Sequence, residues 1–134
     1  MRSPLLWNLL VILAASVAVF AYYPAVITAP NTWMLGDNED AIKNYFTPAW
    51  HVQHDSTYSR FQAMNYPQGE QVTFPDAQPY VSNVLRFVNH NLFSIQDYTV
   101  GILNLLMMLS AVLGCFSCIA FCCSMTSTHS VQLW

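Results

Sequence analysis

Two long apolar segments without a charged residue flank the rest of this chain. The first runs from Leu5 to Ala29 and the second from Tyr98 to Met125, and all seven acidic residues lie between them. Each segment is long enough to cross a hydrocarbon layer about 30 Å thick at about 1.5 Å per helical residue. A charge at the centre of such a helix costs about 2.5–3.5 kcal/mol. The pattern predicts an all-α membrane protein in which two transmembrane helices flank a polar loop.

The predicted organisation follows from these segments. Residues 1–29 form the first transmembrane helix, 30–97 an extracytoplasmic loop with amphipathic helices, 98–125 the second transmembrane helix and 126–134 a short tail. A cleaved signal peptide is the alternative for the first segment, although its apolar run exceeds the typical length of about 7–15 residues. We expect a multi-pass protein of the lipid bilayer, with both termini in the cytoplasm and the loop outside.

Residue composition argues against two other classes of protein. All four cysteines lie in the second apolar segment, so no disulfide framework holds the loop. The C-x-x-C formed by Cys115 and Cys118 has no second ligand pair, and packing explains it better than metal or redox chemistry. Nucleic-acid binding is not expected, because the loop holds seven acidic residues against three Lys and Arg.

A first amphipathic helix is predicted near the start of the loop. Asp37 is suited to cap its amino terminus, with Asp40 three residues later in a capping-box-like pair. Pro48 is expected to end the helix, since the residue before a proline is disfavoured in helical geometry. The apolar face that could lie on a membrane surface consists of Ile42, Tyr45, Phe46 and Ala49.

A second amphipathic helix is predicted after a turn-rich stretch, with Asp76 as its cap. Ser94 and Asp97 are expected to repeat the capping arrangement at the entry to the second transmembrane helix. The apolar residues at helical spacing in the second helix are Val81, Val84, Leu85, Val88 and Leu92.

Three acidic residues, Asp37, Glu39 and Asp40, follow the outer end of the first apolar segment. Carboxylates at this position can act as a general base on a hydroxyl group, or hold a divalent metal (Mg or Mn) that is bound to a phosphate. Helix capping and a favourable interaction with the helix dipole are the structural alternative, and one residue can serve both purposes.

Other residues of the loop are weaker candidates. Lys43, Arg60 and Arg86 can bind a phosphate, although ordinary surface charge is the default interpretation. His51 and His54 have a spacing that permits metal ligation on a helix, but the sequence fixes no third ligand.

The order of these pieces, from Leu5 to Met125, resembles the amino-terminal part of bacterial multi-spanning glycosyltransferases of the GT-C fold, or of related uncharacterised bacterial membrane proteins. The motifs that carry the resemblance are GDNEDAIKNYF after the first apolar segment and MNYPQGEQVTFPDAQP before the second. The resemblance implies transfer of a sugar from a polyprenyl-phosphate donor at the outer face of the cytoplasmic (inner) membrane. It also implies that Asp37 or Asp40 is the catalytic base or a metal ligand.

The chain departs from this family in having only two predicted membrane helices. We therefore expect a fragment of a larger GT-C-like helical bundle, inactive as an enzyme by itself. The alternative is a small two-helix membrane protein whose outer loop binds a partner.

Overall fold

The computed structural model describes residues 4–75 and 78–129, and this part of the chain is mostly helical. Its residues form two compact units, one of them Ala25–Leu105 and the other built from the terminal segments. The elements in chain order are α1 (Pro4–Tyr22), α2 (Pro24–Thr28), α3 (Glu39–Gln53), β1 (Arg60–Phe61), β2 (Glu70–Gln71), α4 (Pro79–Asn91), a 3-10 helix (Gln96–Tyr98) and α5 (Thr99–His129).

The first apolar segment is two helices rather than the one continuous helix that was expected. α1 ends at Tyr22 and α2 begins at Pro24, because a proline lacks the backbone N–H and disfavours helical geometry in the residue before it. Among the described residues, one helix, Gln96–Phe121, is long and apolar enough to cross a membrane, and Leu6–Tyr22 is a shorter apolar helix.

Helix α3 corrects two predictions. Its cap is Asn38 rather than Asp37, since the Asn38 side chain accepts a hydrogen bond of 2.8 Å from the Ala41 N–H. The helix also continues through Pro48 to Gln53. A proline inside a helix costs about 3 kcal/mol, and this cost is offset because Pro48 is fully buried and Val52, one turn later, lies in the core.

The core of the larger unit lies where α3 packs against α4. Val52, Leu85 and Ile95 are its buried residues, and Val81, Val88 and Ile102 pack around them. Of the apolar residues predicted at helical spacing, Val81, Leu85 and Val88 pack in this core, whereas Val84 and Leu92 are exposed. The helix begins at Pro79 after Gln78, whose φ is 45°, and the predicted cap Asp76 lies outside the described residues.

A short antiparallel hairpin follows α3. It pairs Arg60 with Gln71 and Phe61 with Glu70, and the Phe61 side chain is fully buried. Gly69 precedes the second strand with φ +68°, and a Cβ atom there would lie 3.0 Å from the Phe61 carbonyl oxygen. Glycine is required at this position because it alone adopts that conformation without steric cost.

The amino terminus of α5 is capped from far away in the sequence, which corrects the predicted role of Ser94 and Asp97. The 3-10 helix before α5 has Ile95 at its cap position, without a side-chain hydrogen bond. Instead, Asn31 Oδ1 accepts a hydrogen bond of 2.8 Å from the Gly101 N–H. The Gly101 N–H belongs to the first turn of α5, where backbone donors lack a partner within the helix. Asn31 supplies the missing acceptor.

Replacement of Gly101 by alanine is expected to disrupt this cap. The new Cβ would lie 2.3 Å from Asn31 Oδ1, so the asparagine side chain has to move and its hydrogen bond is lost. We expect residues 30–35 to become less stable by about 1 kcal/mol, measured by amide hydrogen exchange of the full chain in detergent.

Gly114 in the same helix is the matched control, since a Cβ atom there meets nothing within 4 Å. Gly114→Ala should leave the exchange of residues 30–35 unchanged. Equal exchange rates in the two alanine variants would show that Asn31 does not cap the helix.

Candidate functional site

The acidic turn, residues 35–40, is held in place by three contacts with α3. The Leu35 N–H donates a hydrogen bond of 3.1 Å to the Tyr45 hydroxyl. Gly36 lies so close to α3 that a Cβ atom on it would be 2.9 Å from Ala41 Cβ. Asn38 caps the helix. The backbone on both sides of Asp37 is therefore fixed relative to α3.

A buried contact between Tyr45 and Asn104 joins this turn to α5. The Tyr45 hydroxyl donates to Asn104 Oδ1. Asn104 is fully buried, and its Nδ2 donates hydrogen bonds of 2.7 Å to the carbonyl oxygens of Pro30 and Trp33. Burial raises the pKa of the Tyr45 phenol, against a smaller opposite effect of the hydrogen bond from Leu35, so the hydroxyl retains the proton that it donates.

The carboxylates of Asp37, Glu39 and Asp40 are exposed. In residues 4–75 and 78–129, none of the three takes part in a side-chain hydrogen bond or an ion pair. Glu39 and Asp40 belong to the first turn of α3, where the helix dipole favours negative charge. Asp40 also lines an open pocket of about 580 Å³, together with Asn44, Thr73, Gln78 and Pro79.

The metal site predicted at Asp37, Glu39 and Asp40 stays a prediction. No three His, Cys, Asp or Glu side chains within the described parts of the chain come together in a way that could hold an ion. The two histidines also have different surroundings. His51 is buried, whereas His54 is exposed and contacts the Trp50 ring, with ring centroids 4.4 Å apart and the ring planes inclined at 47°.

The three predicted phosphate-binding cations lie in three different environments. Arg86 is only 5% exposed, donates a hydrogen bond of 2.9 Å to the His51 carbonyl oxygen and lies 5.3 Å above the Tyr58 ring. Arg60 is exposed on the hairpin and donates to the Gln68 carbonyl oxygen. Lys43 is half-buried on α3. Arg60 is therefore the more accessible of the two arginines to a phosphate.

A buried histidine cluster of His51, Asp55, Asn83 and Arg86 was not predicted from the sequence. His51 Nδ1 lies 2.5 Å from Asp55 Oδ2, and His51 Nε2 lies 2.9 Å from Asn83 Oδ1. Asp55 Oδ1 also accepts a hydrogen bond of 2.9 Å from the Gln62 N–H. The i,i+4 spacing of His51 and Asp55 is the sequence signal that could have indicated this pair. The cluster joins α3 to α4 and to the start of the hairpin.

Comparison with known proteins gives no relative from which a role could be transferred. No protein-family model, no curated protein and no solved structure matches this chain. The site is therefore interpreted from its geometry and from the sequence motifs.

Proposed function

We propose that this chain is the amino-terminal part of an integral membrane glycosyltransferase that takes its sugar from a polyprenyl-phosphate donor. Both apolar segments cross a bacterial cytoplasmic membrane, and the acidic turn lies on the outer side. Asp40 carries the proposal, because its exposed carboxylate lines an open pocket of about 580 Å³. This volume lies in the range of about 300–1,000 Å³ that is usual for small-molecule sites.

In the proposed reaction Asp40 accepts the proton of an acceptor hydroxyl group. The hydroxyl oxygen forms a bond to the anomeric carbon of the sugar, while the bond from that carbon to the donor phosphate oxygen breaks. The phosphate leaves with its polyprenyl chain. Lys43 follows Asp40 by three residues on the surface of α3 and brings positive charge near the departing phosphate. Asp37 is the second candidate for the base.

The first test is to read the genomic DNA beyond the codon for Trp134 in every frame. The proposal expects further apolar spans there. In the longer protein, Asp40→Asn should lower the rate of sugar transfer by about 100-fold or more, because it removes the general base.

Asp97→Asn is the matched control, since Asp97 is an exposed carboxylate in the 3-10 helix and does not line the pocket. Its transfer rate should stay close to that of the unchanged protein. Equal rates in the two variants, or DNA without further apolar spans, would contradict the proposal.

The second candidate function is a small two-helix membrane protein whose outer loop binds a partner. The exposure of two aromatic side chains favours it, because Tyr66 is 91% and Phe74 is 70% exposed on the segment between the first strand and α4. Contiguous exposed apolar patches are typical of interaction sites, and this candidate function requires the two side chains to belong to one. A stop codon followed by unrelated DNA would favour this function over the first.

A further inference from the structure

Helix α4 exposes large apolar residues on the side opposite to its contact with α3. Ser82 and Arg86 are buried on the side that contacts α3. The opposite side, which we call the outer face of α4, consists of Tyr80, Val84 and Phe87, which are 91%, 62% and 51% exposed. On a surface helix of a water-soluble protein, the side away from the core usually carries charged and polar residues.

Hydrogen bonds to α3 fix this orientation. Arg86 donates to the His51 carbonyl oxygen, and Asn83 contacts the His51 ring. Asn89 Nδ2 lies 3.4 Å from the Val52 carbonyl oxygen. Rotation of α4 to bury its outer face would break these contacts and leave buried polar groups without partners, at about 1–3 kcal/mol each.

The outer face carries no charge. The one Lys, Arg, Asp or Glu in α4 is Arg86, which is buried. Asn91 continues the outer face by one turn, and its amide donates to the Phe87 carbonyl oxygen of the same helix, so its polar group already has a partner. Leu92 and Phe93 follow at 64% and 65% exposure.

The end of α4 is held close to the start of the helix that could cross a membrane. α4 ends at Asn91 and that apolar helix begins at Gln96. The four residues between them can extend over about 14 Å at most. Asn89 Oδ1 accepts a hydrogen bond of 2.8 Å from the Ile95 N–H, and Gln53 Nε2 donates to the Gln96 carbonyl oxygen.

We propose that the outer face of α4 lies in the interfacial region of the lipid bilayer, with Val84, Phe87 and Phe93 among the acyl chains. An uncharged apolar face joined by a short connection to a membrane-crossing helix has the lipid surface within reach. Tyr80 and Tyr98 are both exposed. Tyrosine is enriched at membrane interfaces because its side chain combines an apolar ring with a polar hydroxyl group. This proposal holds or fails independently of the glycosyltransferase function.

A nitroxide spin label tests the location of the outer face. The full chain, with its four cysteines replaced by serine, is reconstituted into vesicles of phosphatidylcholine and phosphatidylglycerol and labelled through Val84→Cys. Because Val84 is exposed, the label does not disturb the contact between α3 and α4. Gln68→Cys, an exposed position on the hairpin turn, is the control.

The label at Val84 is expected to collide more often with oxygen, which concentrates in lipid, than with a water-soluble nickel chelate. The label at Gln68 is expected to show the opposite preference. A label at Phe87 repeats the measurement one turn along the outer face. Preference for the nickel chelate at Val84 and Phe87 would overturn the proposal. Protection from both reagents would also overturn it, because it would indicate cover by protein, including a second copy of this chain.

Discussion

Replacement of Asp55 by alanine is expected to destabilise the contact between α3 and α4 by about 3–5 kcal/mol. Asp55 is 2% exposed and lies against His51, which is fully buried. Arg86 is buried in the same cluster and contacts the backbone of His51. Without the carboxylate, the positive charge of Arg86 has no counter-charge within the cluster, and His51 Nδ1 and the Gln62 N–H lose their acceptors.

Amide hydrogen exchange of α3 and α4 in the full chain measures this effect, because exchange reports the free energy of local opening. Asp97→Ala, at an exposed position, is the control and should change that free energy by no more than about 0.5 kcal/mol. A loss of less than about 1 kcal/mol in Asp55→Ala would contradict the assignment of a buried pair.

Asp55→Asn separates the charge from the hydrogen bonds. Asparagine has a similar shape, and its carbonyl oxygen can accept from either His51 or the Gln62 N–H. We expect a loss intermediate between that of alanine and the control. A loss as large as that of alanine would show that the one hydrogen bond that asparagine can keep contributes little to stability.

The sequence predicts α3 well at its start and poorly at its end, for different physical reasons. The cap differs from the predicted one by a single residue, since Asp37 and Asn38 both have side chains suited to capping. The continuation through Pro48 depends on the burial of Val52 against Leu85, a contact made with another element. The rule that a helix ends before a proline considers only neighbouring residues. It takes no account of this contact and therefore predicts the end of the helix too early.

Helix α4 illustrates a second limit. Its apolar spacing correctly indicates a helix, but a ranking by hydrophobicity places Val84 and Leu92 inside and Arg86 outside. The structure reverses this arrangement, because Arg86 finds a specific acceptor in the His51 carbonyl oxygen. The partner of a buried polar group cannot be identified from the spacing of one helix.

In the candidate site, too, the features that depend on neighbouring residues can be predicted from the sequence, and those that depend on distant residues cannot. The exposed acidic residues follow directly from the motif, whereas the contact that fixes the turn joins residues 59 positions apart, Tyr45 and Asn104. In the sequence, Asn104 is a polar residue within the second apolar segment, and nothing near it in the chain indicates its partners. Its two hydrogen bonds to the carbonyl oxygens of Pro30 and Trp33 give it a defined structural role.

Asn104→Leu is expected to destabilise residues 30–35 by about 3 kcal/mol or more. Leucine has the same branching and the same number of heavy atoms but no polar atoms, so the Tyr45 hydroxyl loses its acceptor and the carbonyl oxygens of Pro30 and Trp33 lose the Asn104 donor. A buried polar group without a partner costs about 1–3 kcal/mol. Hydrogen exchange of residues 30–35 should accelerate more than that of α4. Ser110→Leu, at an exposed position in α5, is the control and should leave residues 30–35 unchanged.

A double-mutant cycle with Tyr45→Phe tests whether Tyr45 and Asn104 act as one unit. Tyr45→Phe alone removes the hydroxyl and leaves Asn104 Oδ1 and the Leu35 N–H without a partner. In the Asn104→Leu background the hydroxyl has already lost its acceptor, so its removal should cost clearly less than it does in the unchanged chain. The double variant should therefore be more stable than the sum of the single losses predicts, by about 1 kcal/mol or more. Strictly additive losses would show that the two side chains do not stabilise each other.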